Sequence, residues 1–344
     1  MNYLYLHYMT DNLEKYKTSK LNELTITYNS NLLALRNILV VNIQKINNSK
    51  VSKFIKLQQI TILQNSYNIS VAKLTNEFKQ NKNNILSTTS LPATKNALLI
   101  GINYIGTPNE LYGCINDTTN IKNLLQQTFS FHNFNLLTEQ TNKKPTKQNI
   151  LDSITNLLVS ANKGDSLFIL YSGHGTHTID LSGDELDGQD EMIVPLDYST
   201  NSCIVDDQLN QIITTHLKEG VKLFMLFDSC FSGTIVDLKY SYGDSETINP
   251  TSLETKGQVI MISGCTDNQT SADAVVSLNN TIINSGAMTF TFLKTIQDMG
   301  TTISLKMLIN NMRNILKQNG YTQIPQLSSG TNIDINQLTI STIL

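Results

Sequence analysis

Cysteine is sparse in this chain, and the four present, Cys114, Cys203, Cys230 and Cys265, stand far apart with no C-x-x-C pair. Zinc sites and disulfide frameworks use tighter spacings. Four unbridged thiols point to a reducing compartment, so a cytoplasmic location is expected. Arginine is scarcer still: Arg36 and Arg313 are the only two. Long apolar runs are absent too. The richest early stretch, "NLLALRNILVVNI" at 31–43, contains Arg36 and falls short of the ~20 residues that a membrane span needs. The opening "MNYLYLHYMT" has no basic n-region, and Asp11 and Glu14 follow at once, so no secretory signal is read. Asn-x-Ser/Thr triplets such as that beginning at Asn268 arise by chance in an Asn-rich chain and carry no weight. A soluble protein without a transmembrane segment is expected.

What is present is a globular composition: 344 residues, 40% apolar and 15% charged, enough for one large domain or two ordinary ones. The net charge of −3 is unevenly spread. Residues 1–95 hold twelve basic and four acidic side chains, which leaves +8 there and −11 on the remainder. A basic segment joined to an acidic body can bind an anionic partner or dock on its own body. From 31 to 80, apolar residues recur at three- and four-residue spacings (Leu35, Ile38, Leu39, Ile43, Ile46, then Phe54, Leu57, Ile60). The spacing predicts two or three helical pieces, broken near "NNSK" and "NSYN", within a helical basic segment 1–80. A loosely ordered Lys/Asn tract is the alternative. Residues 81–95, polar and holding Pro92, read as a linker.

Beyond 96 the texture changes. Short apolar runs, "NALLIGINY" (96–104), "FNLLT" (134–138), "DSLFILYSG" (165–173), "VKLFMLFDS" (221–229) and "GQVIMISG" (257–264), alternate with helical stretches at 115–128, 146–162, 206–219, 286–299 and 303–318. Strands apolar throughout are buried on both faces, and their alternation with helices predicts an α/β fold with a mostly parallel sheet. Open sheets of this kind place chemistry at the carboxyl ends of their strands.

Two such ends carry a base and a nucleophile. "LFILYSG" runs into His174, and "LFMLFDS" runs into Cys230. A thiol is a weak nucleophile until deprotonated, and a neighbouring imidazole can hold that proton. The small residues around both, Gly173 and Gly175 on one side and Ser232 and Gly233 on the other, admit a substrate backbone and leave N–H groups for an oxyanion. Each half alone has a bland reading, Cys230 as core and His174 as a turn residue. Together they make an acyl-transfer site.

"YSGHG" followed some fifty residues later by "DSCFSG" resembles the His and Cys motifs of the caspase clan. "ALLIGINYIGTPNELYGCINDTTNIKNLL" (97–125), "GDELDGQDEMIVPLDY" (183–198) and "MISGCTDNQTSADA" (261–274) are similar to the metacaspases, in a type I arrangement. The resemblance spans about 96–328. It implies a caspase-like three-layer α/β/α sandwich over 96–344, with a large-subunit-like part (96–240), a connector (241–257) and a small-subunit-like part (258–344). It makes Cys230 the nucleophile and His174 the base, with the backbone N–H groups of Gly175 and Cys230 as oxyanion donors. The family's acidic S1 pocket corresponds to Asp117 and Asp228, lined by Ser172 and Cys114. Two carboxylates suit a Lys or Arg side chain, and cleavage after Asp would need fixed cations in the pocket, whereas neither Arg36 nor Arg313 lies near a strand end of the site. Asp117 has a second reading, as an N-cap of the helix that follows it. Phe231 stands where metacaspases usually have His.

"DELDGQDE" (184–191) fails as an EF-hand, whose twelfth position from Asp184 would fall on Pro195. The metacaspase calcium site instead corresponds to Asp190, Asp206, Asp207 and Asp237; the alternative for these is solvated loop acids. The resemblance further implies a calcium-activated cysteine endopeptidase, with protein substrates, no nucleic acid and a monomeric state. Self-cleavage is expected after Lys82, Lys95, Lys239 or Lys256, and the basic N-terminal segment is a candidate inhibitor in cis. The alternative function is a non-proteolytic caspase-fold scaffold or regulator acting through the N-terminal helices.

Overall fold

A computed structural model describes residues 2–89, 91–179, 189–230, 235–243, 246–264, 273–278 and 281–344. Phe231, Cys265 and most of the acidic loop "DELDGQDE" lie outside these residues. The chain forms two compact units, 1–92 and 93–344.

The first unit is a helical hairpin of α1 (Asn2–Asn47) and α2 (Lys53–Ser87). Ser52 starts α2 by accepting the Ile55 N–H on its side chain. The helices meet through half-buried residues such as Tyr28, whose ring lies 4.6 Å from Phe78. The break expected at "NNSK" is there. The one expected at "NSYN" is not: α2 runs straight through it and on to Ser87, seven residues into the segment read as linker. Asn, Ser and Tyr are indifferent helix formers that each cost about 0.5–0.7 kcal/mol, but no Gly or Pro interrupts the chain until Pro92. Among the described residues no helix is long and apolar enough to cross a membrane.

The second unit follows in the order β1 (Lys95–Gly101), α3 (Cys114–Thr128), β2 (Asn133–Thr138), α4 (Lys147–Ser160), β3 (Ser166–Ser172), β4 (Gly175–Ile179), β5 (Gln189–Ile193), α5 (Tyr198–Asn201), β6 (Ile204–Val205), α6 (Asp206–His216) and β7 (Lys222–Asp228). Next come β8 (Tyr240–Tyr242), β9 (Glu246–Ile248), β10 (Gln258–Ser263), β11 (Asp273–Leu278), β12 (Thr281–Gly286), α7 (Ala287–Met299), α8 (Leu305–Gln318), β13 (Gln326–Ser329) and α9 (Ile340–Ile343). The central sheet has the order β2-β1-β3-β7-β10-β13-β8-β9. Pairing is parallel from β2 to β10 and antiparallel beyond. The connector therefore does more than tether: its β8 and β9 extend the sheet edge.

Alternate residues of each central strand enter opposite cores, which is why the strands read as unbroken apolar runs. Ala97, Leu99, Phe168, Leu170, Phe224 and Leu226 join α3, α7, α8 and α9 on one face. Leu98, Ile100, Leu167, Ile169, Leu223 and Met225 join α4 and α6 on the other. The three-layer α/β/α sandwich is the fold expected from the sequence. Two neighbouring strands of its sheet, β3 and β7, run side by side to Ser172 paired with Asp228. That rim carries the candidate chemistry.

Candidate active site

Beyond the last paired residues the two chains stay in contact. Gly173 donates its N–H to the Asp228 carbonyl at 3.3 Å. Gly175 abuts the next turn so closely that a Cβ there would lie 1.9 Å from the Cys230 carbonyl oxygen. His174, held between these glycines, and Cys230 thus sit on touching backbone segments, where the sequence places them. Every residue of β7 after Lys222 is buried, whereas Cys230 is half-buried beyond the strand end. Gly175 is a steric requirement of that contact, and a Cβ on Gly173 would crowd the Tyr171 and Tyr104 hydroxyls instead.

His174 is gripped from several sides. Its backbone N–H donates to Tyr104 Oη at 3.0 Å, and its carbonyl accepts from Tyr171 Oη at 2.7 Å. Burial, reinforced by their mutual proximity, raises the Tyr104 phenol well above its ordinary pKa, and burial likewise raises that of Tyr171, so both remain protonated donors. The Tyr104 ring packs 4.7 Å from the imidazole, and Nε2 lies 2.7 Å from the Asn109 carbonyl oxygen. A carbonyl can only accept, so Nε2 carries a proton, and in the neutral ring it is Nδ1 that holds the lone pair. A neutral imidazole in one tautomer is the form able to take a proton from a thiol.

Asp117 is the fourth residue of α3 and does not cap it; Gly113 stands at the N-cap. Its carboxylate turns to the sheet instead. Ser172 Oγ donates to Oδ2 at 2.7 Å, Ser285 Oγ to Oδ1 at 2.5 Å, and the Gly286 N–H to Oδ2 at 3.0 Å. Asp228 Oδ2 accepts the Thr289 N–H at 2.7 Å. Gly286 lies between the two acids: a Cβ on it would stand 2.1 Å from Asp228 Oδ2 and 3.0 Å from Asp117 Oδ2. Both aspartates are buried, and Cys114 is buried one helical turn before Asp117. Burial first, and the Asp228 charge second, hold the Asp117 pKa well above the carboxylate range against the lowering effect of its hydrogen bonds. The structure thus brings Cys114, Asp117, Ser172 and Asp228 together, and adds Ser285 and Gly286 from β12. The sequence reading missed those two, as it missed Tyr104, Asn109 and Tyr171.

Of the four acids assigned to a calcium site, three converge: carboxylate oxygens of Asp206, Asp207 and Asp237 lie within 4.8 Å of one another. Asp206 and Asp237 are buried, and Asp237 holds a left-handed φ of 47°. Asp206 is fixed by the Glu191 N–H at 2.6 Å and the Asp207 N–H at 2.7 Å. Asp190 stands outside the 4.8 Å group, on β5, one residue before that anchoring amide. The four lysines read as cleavage points separate as well. Lys82 is in α2. Lys95 opens β1, with Nζ bonded to the Phe129 carbonyl at 2.9 Å and to Leu344 O. Neither lies in a linker, because helix and strand both continue into it. Lys239 is half-buried next to β8, and Lys256 is exposed in the bend before β10.

Residues 95–239 match the family model described as "Metacaspase, peptidase C14 domain". The chain is 38% identical over 296 residues to Metacaspase-1 of Meyerozyma guilliermondii, covering 70% of this chain and 71% of that protein. It is 37% identical over 300 residues to Metacaspase-1 of Saccharomyces cerevisiae, covering 70% and 68%. Among solved structures, a Geobacter sulfurreducens protein matches with TM-score 0.55 at 22% identity, over 73% of this chain and 99% of that one.

Proposed function

This chain belongs to the metacaspase family of C14 peptidases, and from that premise we propose that it is a calcium-dependent endopeptidase cleaving after Lys or Arg. The observation that carries the specificity is the buried Asp117–Asp228 pair beside the strand tips of His174 and Cys230. A substrate ammonium or guanidinium entering there would gain charge-assisted hydrogen bonds and relieve the repulsion between the acids. His174 Nδ1 takes the proton of the Cys230 thiol, and Sγ attacks the scissile carbonyl. The backbone N–H groups of Gly175 and Cys230 are the assigned donors to the oxyanion. His174 then returns the proton to the leaving amine, and water hydrolyses the thioester. Fluorogenic peptides differing only in the residue before the cut test the reading. Lys and Arg peptides should be turned over and Asp peptides left intact; equal turnover of all three would refute it.

The carboxylate cluster fits calcium by chemistry and size. The ion takes hard oxygen ligands at about 2.3–2.6 Å, so two ligands on one ion stand at most about 5 Å apart, in line with the 4.8 Å grouping. Asp206, Asp207 and Asp237 would hold it, and the ion would neutralise three crowded charges. Asp237 lies seven residues after Cys230, so its carboxylate would link a bound ion to the chain on the nucleophile's side. Calcium at about a hundred times its dissociation constant should stabilise the fold by about 2.7 kcal/mol. Calorimetry of the whole chain should show that rise with Ca²⁺ and lose it in Asp237→Asn. A rise of equal size in the variant would remove the site from these residues.

Self-processing, where it occurs, is expected at Lys256 ahead of the others. Of the four, Lys256 is the one both exposed and outside helix and strand, whereas Lys82 and Lys95 would first have to leave a helix and a central strand. Mass spectrometry of calcium-treated protein beside a Cys230→Ala control reads this directly: a first cut at Lys82 or Lys95 would contradict it.

A further inference from the structure

Glu139, the residue after β2, is half-buried at the edge of the parallel part of the sheet, and its carboxylate reaches the loop that follows β1. Oε2 accepts the Asn103 N–H at 2.7 Å, and Oε1 accepts the Ile105 N–H at 2.9 Å. The residue straddled by these bonds is Tyr104, which holds a left-handed φ of 52°. A bulky side chain rarely adopts that conformation without something to hold it.

What the turn accomplishes is specific. It lays the Tyr104 ring 4.7 Å from the His174 imidazole and aims Oη at the His174 N–H. It also launches the loop 105–111, closed by the Thr107 N–H on the Tyr104 carbonyl at 3.1 Å and the Leu111 N–H on the Asn103 carbonyl at 2.7 Å. That loop presents the Asn109 carbonyl 2.7 Å from His174 Nε2. One carboxylate therefore stands behind both groups that orient the imidazole, its ring support and its tautomer-setting acceptor.

We propose that Glu139 is a positioning residue of the catalytic site: its carboxylate clamps the left-handed turn at Tyr104 and so holds His174 in the Nε2–H tautomer. The proposal rests on the reading of His174 as the base. A carboxylate is suited to the task because its two oxygens accept two amide protons at once. Glutamine, nearly the same shape, has one accepting oxygen and would turn an NH₂ toward the second N–H. Glu139→Gln thus breaks one of the two bonds while changing little else.

The test uses the full-length protein labelled with ¹⁵N-histidine, His174 being assigned by the signals lost in His174→Ala. Wild type should show the Nε2–H tautomer at His174, and Glu139→Gln a mixture of both. With Lys- and Arg-ended peptides, kcat should fall about tenfold to a hundredfold with KM unchanged, part of what a positioned base contributes. Alkylation of Cys230 by iodoacetamide should slow in parallel. A pure Nε2–H tautomer with wild-type kcat in Glu139→Gln would overturn the proposal. So would loss of folding in both Glu139→Gln and Glu139→Ala, which would make the clamp structural. If wild type cleaves neither peptide, the specificity reading fails by itself, and the tautomer and alkylation still decide the role of Glu139.

Discussion

Cys230→Ala is expected to yield a folded protein that cleaves neither Lys- nor Arg-ended peptides, with the rate down by about 10⁴-fold or more, as when the nucleophile of a comparable site is removed. The fold should barely notice. Cys230 is half-buried beyond the end of β7, and substitutions at such positions normally stay within about 0.5 kcal/mol. The other described thiols are poor substitutes. Cys114 is buried, and burial pushes the Cys203 thiol up, away from the reactive thiolate, against the lowering effect of Lys147. His174→Ala should cost nearly as much, because the thiol then keeps its proton, and the double variant should be little worse than either single one. Activity and melting temperature measured together separate chemistry from folding. A Cys230→Ala protein retaining more than about a hundredth of wild-type activity would place the nucleophile elsewhere.

The parts of this molecule that were legible in its sequence are those whose physics is local. β1, β3, β7 and β10 show as apolar runs because both faces are buried, and α3, α4, α6, α7 and α8 show by their period. The small antiparallel strands do not: β9 is three residues long and wholly exposed, so neither run length nor alternation marks it. The site divides the same way. His174 and Cys230 could be found from strand ends followed by glycine. Tyr104 meets His174 across 70 residues and Ser285 meets Asp117 across 168, and no spacing rule encodes such meetings. Tyr104 left one trace, an aromatic residue directly before "IG" at a strand end, but its left-handed backbone is visible only once Glu139 is seen to hold it. The misread break at "NSYN" has the opposite cause. Local propensity there is weak, but no Gly or Pro stops the helix, and α2 continues through the segment.

Asp117→Asn should separate specificity from stability, because Asp117 works against the fold at neutral pH. Its pKa is raised on folding, chiefly by burial and then by Asp228. The folded state therefore binds this proton more tightly than the unfolded chain does. Stability from this group is fully present at acid pH, and it declines as pH rises from the ordinary carboxylate value through the raised folded one. Asparagine has no proton to lose. Its Oδ1 keeps the Ser285 bond and the longer Gly286 bond at 3.2 Å, and its Nδ2 can donate to Ser172 Oγ, so only the 3.0 Å contact of the Gly286 N–H with Oδ2 is given up. At acid pH the two proteins should melt alike; at neutral pH and above the variant should melt at the same temperature or higher. Catalysis should move the other way. A substrate cation favours the ionised carboxylate, so in wild type KM for Lys and Arg peptides should improve as pH rises through that window. In the variant the dependence should vanish, and kcat/KM should fall about 10²–10³-fold, in the range for deleting one partner of a buried charge pair. Melting curves and kcat/KM against pH, on both proteins, decide the matter. An Asp117→Asn protein that melts lower at every pH and cleaves Arg peptides normally would show that Asp117 anchors α3 to β12 and has no part in choosing the substrate.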